Sequence, residues 1–376
     1  MSTRNRLYFG YQGPYLNLAF GTSRLGVSNR DLWAITDGPL RNRQPRLDLW
    51  SMVILGSVPL AEKVLISRLR RAARRRNANL VTGIGDDCAA IRLPAGEQAL
   101  VTTDFSLEGI HFRRQWHPPD VVGHRCLTRG LSDIAAMGGK PIAAFLSLAL
   151  PRSVSQHWVD GFLRGFLALA DEFKVSLAGG DTAESPAGIL ADIIVLGSVP
   201  QGKAILRSGA RPGDRIYVTG ELGGASAALQ ELFAGHKMRP QDFPRHFHPV
   251  PRISVGQFLR EKRLASAMID LSDGLSTDLG HICEESGVGA EIFAPAIPRA
   301  VSGKVGTEVD LRQALHGGDD YELLFVAPRN KTVPRRIARV PVTLIGHVTR
   351  RKRILLMNEN GVGSELKPQG WEHFRK

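Results

Sequence analysis

From about residue 59 onward, the apolar positions of the chain follow two alternating patterns. Short runs rich in β-branched residues predict strands. Stretches with apolar residues every three or four positions predict helices. In the first half, these patterns predict strands at 99–104, 143–150, 175–181 and 189–199 and helices at 120–138 and 154–173.

The same alternation returns in the second half. It follows the segment 207–214, RSGARPGD, whose turn-forming residues predict a hinge. The elements after it are strands at 215–220, 321–328 and 341–348, a strand and turn at 265–274, and helices at 223–235 and 275–286. We therefore expect an α/β (α+β) fold of two domains, 59–205 and 206–376.

The first 58 residues differ from the rest of the chain. Their periodicity is weak, and Gly, Pro, Asn and Arg are scattered through them, so we expect a poorly ordered extension. This Arg-rich, acid-poor segment could also be a targeting peptide, although it lacks a clear apolar region and a cleavage site. Translation that begins at Met52 would remove most of it.

The net charge of +13 raises the question of a nucleic-acid partner, and the answer depends on where the charge lies. Residues 1–79 contain fourteen Lys or Arg and four Asp or Glu, so the remainder carries only +3. In the densest region, Leu65, Leu69 and Ala72 have helical spacing. We favour a solvated face of an amphipathic helix over a binding patch, and we do not expect nucleic acid as a partner.

Two further features narrow the class of protein. No run of eighteen apolar residues occurs, so we predict no membrane-spanning helix. The three cysteines, Cys88, Cys126 and Cys283, show no metal-ligand spacing and are odd in number. They indicate a reducing, cytoplasmic location and favour packing of the cysteines as small apolar residues.

Aspartates are concentrated where apolar runs end beside glycine. A carboxylate in this position can face a ligand while nearby backbone N–H groups stay open to a phosphate. One such aspartate alone is more often a turn or helix-capping residue, but their repetition indicates a shared site. The aspartates concerned are Asp86, Asp87, Asp104, Asp133, Asp181, Asp270, Asp273, Asp319 and Asp320.

Short oxygen ligands at many separate points favour Mg²⁺, which is commonly shared between carboxylates and substrate phosphates. Zinc is disfavoured because the chain has no HExxH and no paired Cys/His spacing. An EF-hand that starts at Asp270 fails, because its sixth position is Leu275 and its twelfth is His281. The chain also lacks a P-loop, so metal ions would have to neutralise the phosphates.

The segment 269–281, IDLSDGLSTDLGH, follows a predicted strand directly. Its first half contains Asp270, Ser272 and Asp273. Apolar residues at helical spacing from position 275 onward place Asp278 and His281 on the next helix. Only the three residues of the first half are therefore candidates for chemistry.

Eight motifs occur in a fixed order along the chain: GIGDDCAAI, TTDFSLEGIHF, LSDIAAMGGKP, GGDT, LRSGARPGD, IDLSDGLSTDLGHI, GGDDYELLF and GWEHF. This series resembles that of the thiamine-monophosphate kinase family, in the superfamily of aminoimidazole ribonucleotide synthetase and selenophosphate synthetase. The resemblance covers residues 60–374. Two positions depart from it: Gly130, where the family commonly has Asn, and Asp319, where Glu is frequent.

The resemblance implies ATP-dependent phosphorylation of thiamine monophosphate to thiamine diphosphate, the last step in making that coenzyme. It implies direct in-line transfer with several Mg²⁺ ions and no covalent nucleophile. The implied fold is that of aminoimidazole ribonucleotide synthetase, with a homodimer formed through the N-terminal β-sheet and a C-terminal α/β domain. The matched metal positions are Asp87, Thr102, Thr103, Asp104, Asp133, Asp181, Asp270 and Asp273, the ATP positions are Gly180, Asp181, Arg207 and Ser272, and the thiamine phosphate positions are His111, Asp319 and Trp371.

Two alternative functions stay open. Another ATP-using enzyme of the same superfamily, acting on a purine precursor or on selenide, would share the acid-rich and glycine-rich motifs. The segments EGIHF, GGDDYEL and GWEHF argue against it. A nucleic-acid-binding protein that uses the Arg-rich segment would show salt-dependent binding that is lost when residues 1–79 are deleted.

Overall fold

Two β-sheets, with helices packed on them, form most of the described part of the chain. The structure, a computed structural model, describes residues 62–73, 77–85, 87–302, 306–371 and 374. The extension expected over 1–58 lies outside the described residues, as does Asp86. No helix within the described ranges combines the length and the apolar composition needed to cross a membrane.

The described chain starts with helix α1, Glu62–Ala72, followed by a two-stranded hairpin of β1, Leu80–Thr82, and β2, Ala90–Ile91. Leu65 and Leu69 of α1 are buried. The helix predicted from their spacing is therefore present.

The arginines of α1 agree in part with the predicted solvated face. Arg70 and Arg71 are exposed. Arg68 instead forms an ion pair with Asp160 of a neighbouring helix at 2.8 Å. The remaining arginines of the run, at 74–76, lie outside the described residues.

The first sheet has four strands in the order β3-β6-β4-β5. β4 and β5 are parallel, whereas β6 runs antiparallel to β3 and β4. Helix α2 packs on this sheet and on helix α3. The bounds are β3 Glu97–Leu107, α2 Pro119–Ala136, β4 Lys140–Leu150, α3 Gln156–Glu172, β5 Ser176–Glu184 and β6 Leu190–Pro200.

Helices α2 and α3 meet almost backbone to backbone. A Cβ atom on Gly123 of α2 would overlap the carbonyl oxygen of Phe162. A Cβ atom on Gly165 of α3 would overlap the carbonyl oxygen of Asp120. Because only glycine lacks a Cβ, both positions require it for this packing.

The face of the first sheet that points away from α2 carries exposed apolar side chains. Val101 and Phe105 of β3 are 66% and 55% exposed. Because side chains alternate across a strand, Thr103 shares the face of Val101 and Phe105, whereas Thr102 and Asp104 point to the opposite face. We call the side of the sheet with Val101, Thr103 and Phe105 the outer face.

The second sheet has eight strands, seven of them in the order β16-β15-β9-β14-β7-β12-β8, with β13 paired to β14. The strands are β7 Arg215–Thr219, β8 Ala267–Asp270, β9 Gly289–Phe293, β12 Leu323–Ala327, β13 Arg336–Ile337, β14 Val340–Thr349, β15 Ile354–Met357 and β16 Gly363–Glu365, and a separate hairpin joins β10 Val301–Ser302 and β11 Thr307–Glu308. The helices are α4 Gly224–Phe233, α5 Pro244–Phe247, α6 Ile253–Glu261, α7 Leu275–Ser286 and α8 Leu311–His316.

One hydrophobic cluster joins the two sheets. Leu131 and Ile134 of α2 belong to the same buried cluster as Met268 and Phe325 of the second sheet. The last strand of the first sheet and the first strand of the second are connected by residues 201–214. The division into domains at residue 205 stays a prediction, because this cluster extends across it.

The alternation of elements expected from the sequence is confirmed. Every predicted strand and helix of the main series overlaps an observed one, and helix α7 ends at Gly287, whose left-handed φ of 67° closes it.

The expectation for the cysteines was wrong at one position. Cys126 and Cys283 are buried, but Cys88 is exposed because it lies in the loop between β1 and β2.

Candidate active site

Helix α2 presents three charged side chains along one face. Arg125, Arg129 and Asp133 are four residues apart, so they form one row on the helix. The helix contacts β3, β4 and β6 of the first sheet and β8 of the second. Most of its residues are buried, so these charges need partners inside the protein.

Three carboxyl groups meet where α2 contacts both sheets. We call Asp104 of β3, Asp133 of α2 and Asp270 at the end of β8 the carboxylate cluster. Thr102 Oγ1 donates a hydrogen bond to Asp133 Oδ2, and the side chains of Asp104 and Asp133 are hydrogen-bonded to each other. Ser132 Oγ donates to Asp270 Oδ2 at 2.6 Å. The structure thus brings together residues from three separate motifs.

Burial raises the pKa of all three cluster members, and repulsion from Asp133 adds to the rise at Asp104 and Asp270. Burial, with repulsion from Asp133, raises the pKa of Asp104 to about 7. The same two causes raise the pKa of Asp270 to about 7. Burial also raises the pKa of Asp133. Ionised together, the three groups are unfavourable unless a cation relieves their repulsion.

The carboxylate cluster fits Mg²⁺ by the chemistry of its donors. Carboxylate and hydroxyl oxygens are the ligands that this ion prefers. Arg207, exposed in the segment 201–214, adds positive charge nearby, and this charge lowers the pKa of Asp133 and Asp270. The cluster could therefore hold a metal ion, and Arg207 could contact an anion bound to that metal.

Thr103 and Asp181, two further predicted metal ligands, lie on the outer face of the first sheet. Thr102 points to α2, whereas Thr103 Oγ1 donates to Asp192 Oδ1 at 2.8 Å. Asp192 of β6 and Asp181 of β5 stand in one row of the sheet, separated by a single residue of β4. Thr103 and Asp181 thus face away from the side chain of Asp104, and their role as metal ligands stays a prediction.

Gly180 allows β5 to pair closely with β4. Its φ is +149°, and a Cβ atom would overlap the carbonyl oxygen of Leu146. The fold alone therefore requires glycine at this position. Its predicted contact with ATP stays a prediction.

The turn after β8 forms a second group of metal-ligand side chains. Asp273, Asp278 and His281 offer ligand atoms within 4.8 Å of one another. Asp278 Oδ2 accepts hydrogen bonds from the backbone N–H groups of Asp273 and Gly274, at 3.2 and 3.0 Å, at the start of α7. Burial, followed by repulsion from Asp270 and Asp273, raises the pKa of Asp278 to about 8. Asp278 and His281 lie on the helix as predicted, but they could also hold a cation with Asp273.

The C-terminal segment is attached to the same turn. The Trp371 N–H donates to the carbonyl oxygen of Asp273 at 3.1 Å, and the Gly370 N–H donates to Thr277 Oγ1 at 3.1 Å. The side chain of Trp371 is 52% exposed. An aromatic ring in this position could stack on a ring of a bound ligand.

Asp319 is held by three side chains. Its Oδ2 accepts from Arg125 at 2.8 Å, and its Oδ1 accepts from the Tyr321 hydroxyl at 2.7 Å and from Arg129 at 3.4 Å. Burial opposes ionisation, but Arg125 and Arg129 outweigh it and hold the pKa of Asp319 well below its usual range. The Asp319 N–H donates to the carbonyl oxygen of Ser272 at 2.9 Å, which joins its loop to the turn after β8.

His111 and Asp87 lie in loops. His111 Nδ1 accepts from the Leu107 N–H at 3.0 Å, in the loop that leads from β3 to α2. Asp87 is exposed between β1 and β2. The predicted roles of both residues stay predictions.

Several residues of the site were not selected by sequence reasoning. The four-residue steps from Arg125 to Arg129 and from Arg129 to Asp133 were an available signal for a shared helix face. Asp192, a charge inside the apolar run ILADIIVLG, was another. Tyr321 gave no signal, because its contact with Asp319 depends on the conformation of the loop.

Gly130, one of the two departures from the family pattern, lies where α2 crosses β6. A Cβ atom at this position would be 2.5 Å from Val195 Cγ2 and 3.5 Å from Thr102 Cγ2. An asparagine here would therefore require Val195 to move. In this chain, glycine lets α2 lie close to the strand.

Comparison with protein families accounts for both sheets. The chain matches the family model "AIR synthase related protein, N-terminal domain" over residues 85–199 and "AIR synthase related protein, C-terminal domain" over residues 211–357. The first match contains all but the last residue of the four-stranded sheet, and the second contains most of the eight-stranded sheet. Fold and site together therefore define an AIR synthase related protein.

Individual relatives narrow this class. The thiamine-monophosphate kinase of Escherichia coli K12 is 39% identical over 321 residues, which are 82% of this chain and 97% of the relative. The crystal structure of thiamine-monophosphate kinase from Stenotrophomonas maltophilia K279a matches with 34% identity and a TM-score of 0.68, covering 80% of this chain and 96% of its own. The chain belongs to the thiamine-monophosphate kinase family, and the resemblance of its eight motifs is confirmed.

A further solved structure shows what a family member binds. It is described as AaThiL complexed with AMPPCP and TMP. This structure matches with 30% identity and a TM-score of 0.66, and the match covers 84% of this chain and 97% of the other.

Proposed function

We propose that this chain transfers the γ-phosphoryl group of ATP to the phosphate of thiamine monophosphate and so makes thiamine diphosphate. The observation that carries the proposal is the carboxylate cluster of Asp104, Asp133 and Asp270, placed where α2 contacts both sheets. Family membership supports the choice of substrates, as does the relative bound to AMPPCP and TMP.

Transfer between two phosphates depends on positioning and charge neutralisation. The acceptor phosphate is already an anion at neutral pH, so no side chain has to remove a proton from it. We propose that the carboxylate cluster holds Mg²⁺ together with Asp273, and that bound Mg²⁺ neutralises phosphate oxygens. Direct in-line transfer then requires no covalent nucleophile. The other proposed metal positions are Asp87, Thr102, Thr103 and Asp181.

The two substrates would approach the cluster from different sides. On the ATP side, Arg207 can contact phosphate oxygens beside Asp133 and Asp270. Gly180, Asp181 and Ser272 are the other proposed ATP positions, and Asp181 among them lies on the outer face of the first sheet. On the acceptor side, the proposed residues are His111, Asp319 and Trp371.

The test is an assay of the purified protein with ATP, Mg²⁺ and thiamine monophosphate. Thiamine diphosphate can be followed as its fluorescent thiochrome derivative after separation. We expect product formation to require all three components. Absence of product, with turnover of a purine precursor or of selenide instead, would overturn the proposal in favour of another activity of the superfamily.

We also propose that two copies of the chain pair through the outer face of the first sheet. Val101 and Phe105 are large apolar side chains exposed on that face, one on each side of Thr103, and exposed apolar patches commonly mark interaction surfaces. A second copy would cover them by packing its own sheet against them.

Light scattering after gel filtration tests the homodimer. We expect a dimer for the parent chain and a monomer for Val101→Glu, because a buried charge without a partner opposes association. Val362→Glu, an exposed position far along the chain in the loop before β16, is the matched control and should stay dimeric. A Val101→Glu dimer would contradict this interface.

A cytoplasmic location also stays a proposal, which cell fractionation would test.

A further inference from the structure

The guanidinium group of Arg129 lies between two parts of the site. Arg129 is one helical turn before Asp133 of the carboxylate cluster, a spacing that puts the two side chains about 5–6 Å apart at their Cβ atoms. At its other end, Arg129 contacts Asp319 Oδ1 at 3.4 Å and lies over the ring of Tyr321, 6.0 Å from the centroid. Its positive charge also lowers the pKa of Asp104.

Arg129 has few partners within the protein for a cation that is mostly buried. Its side chain is 12% exposed. A guanidinium group has five N–H donors, yet the structure gives Arg129 a single hydrogen bond to the described residues, the 3.4 Å contact with Asp319. No nitrogen atom of Arg129 is both buried and unpaired, so its unused donors are accessible to a ligand. A phosphate group, with several acceptor oxygens, fits these donors.

The neighbouring arginine of the same row shows the opposite situation. Arg125 is 4% exposed, donates to Asp319 Oδ2 at 2.8 Å, and donates through its other terminal nitrogen to the carbonyl oxygen of His246. Both of its terminal nitrogens are therefore paired within the protein. The two arginines therefore differ in their bonding: Arg125 is tied to the loop of Asp319 and to His246, whereas Arg129 has donors left for a ligand.

The bonds of Asp319 point to an indirect role for this residue. Both of its carboxylate oxygens already accept hydrogen bonds from Arg125, Arg129 and Tyr321. Asp319 and Tyr321 both have left-handed backbone conformations, with φ of 65° and 51°. Residues other than glycine rarely adopt this conformation. The surrounding bonds therefore fix the loop in the one conformation that brings Asp319 to Arg129.

We propose that Arg129 binds the phosphate group of the acceptor substrate, and that Asp319 is a positioning residue that orients the Arg129 guanidinium. This inference rests on the proposed function, because it takes the acceptor to be a phosphate monoester. Arg129 stands beside the carboxylate cluster, so its charge reduces the repulsion between the acceptor phosphate and the phosphates of ATP.

The test compares thiamine monophosphate with thiamine, which lacks the phosphate. Binding of each to the full chain is measured by calorimetry in the presence of Mg²⁺ and the ATP analogue AMPPCP. We expect the parent chain to prefer thiamine monophosphate, and Arg129→Gln to lose most of that preference, by on the order of 10-fold or more. Asp319→Asn should weaken the preference less. Arg152→Gln, which removes an exposed arginine of a surface ion pair, is the matched control and should bind like the parent chain.

Kinetics give a second measurement, which would not change selectively if Arg129 had only a structural role. In Arg129→Gln, the KM for thiamine monophosphate should rise on the order of 10-fold or more, whereas the KM for ATP should stay within about twofold. Arg129→Lys keeps the charge and should recover part of the loss, which keeps the test valid if Arg129→Gln folds poorly. An unchanged preference for the phosphate, or an equal rise of both KM values, would overturn the proposal.

The two proposals fail in different ways. If the parent chain makes no thiamine diphosphate, the proposed function is wrong, whatever Arg129 binds. If the parent chain is active and Arg129→Gln binds thiamine monophosphate and thiamine as the parent does, only the role of Arg129 is wrong.

Discussion

A buried pair of histidines makes the stability of this protein sensitive to acid. His117, just before α2, and His246 of α5 are each 2% exposed, and their Nε2 atoms lie 3.0 Å apart. Burial, followed by the charge of Arg125, lowers the pKa of His117 to about 4, from an ordinary value of 6.5. The same causes hold the pKa of His246 well below 6.5.

The direction of the pH dependence follows from these pKa values. Because the pKa of His117 is lower in the folded chain, folding favours the neutral imidazole. Its contribution to stability is complete above pH 6.5 and is lost as the pH falls toward 4, since the unfolded chain takes up a proton that the folded chain does not. At pH 5.0, about 1.5 pH units below the ordinary value, the loss is about 2 kcal/mol.

The substitution His117→Gln removes this titration and keeps a polar group near the position of Nε2. Between pH 7.5 and pH 5.0, we expect the parent chain to lose about 2 kcal/mol more free energy of unfolding than the variant does. Urea unfolding at the two pH values measures the difference. His157→Gln on the exposed side of α3 is the control and should follow the parent chain. Equal losses in the parent chain and in His117→Gln would refute the reasoning.

Other substitutions test the packing of α2 and the carboxylate cluster. Gly123→Ala places a Cβ against the carbonyl oxygen of Phe162 and should cost about 1–3 kcal/mol or more in free energy of unfolding. Gly280→Ala is the control, because the added Cβ makes only an ordinary contact there. It should leave the free energy of unfolding unchanged or raise it by up to about 1 kcal/mol. Similar effects of Gly123→Ala and Gly280→Ala in urea unfolding would contradict the packing argument. Asp133→Asn and Asp270→Asn should each lower kcat on the order of 100-fold or more with the circular dichroism spectrum preserved. Near-normal activity of either variant would remove that residue from the proposed metal site.

The sequence predicted the elements well, because strands and helices with one buried side leave a clear period in the apolar residues. It also predicted that Asp133 and Asp270 share a site, because both lie in motifs that match the same family. Their separation by 137 positions did not matter, since strand ends and helix faces meet wherever elements pack.

The partners of Asp319 could not be predicted in the same way. Its contacts with Arg129 and Tyr321 depend on a loop with two left-handed residues, a conformation that no local pattern specifies. The division of Thr102 and Thr103 between the two faces of β3 follows from strand geometry, but which face meets α2 is decided by tertiary packing. Sequence motifs therefore identified the acidic residues more readily than the groups that orient them.

The backbone contact between α2 and α6 limits how this protein can move. A Cβ on Gly256 of α6 would overlap the carbonyl oxygen of Ala135, and the buried cluster that contains Leu131 continues from α2 into the second sheet. A hinge between the two sheets would have to break both contacts. We therefore expect the described residues to undergo no large domain closure during catalysis. Substrates have to enter and leave through movements of loops and side chains around a fixed frame, and the amides of α2 should exchange with solvent only when the whole molecule unfolds.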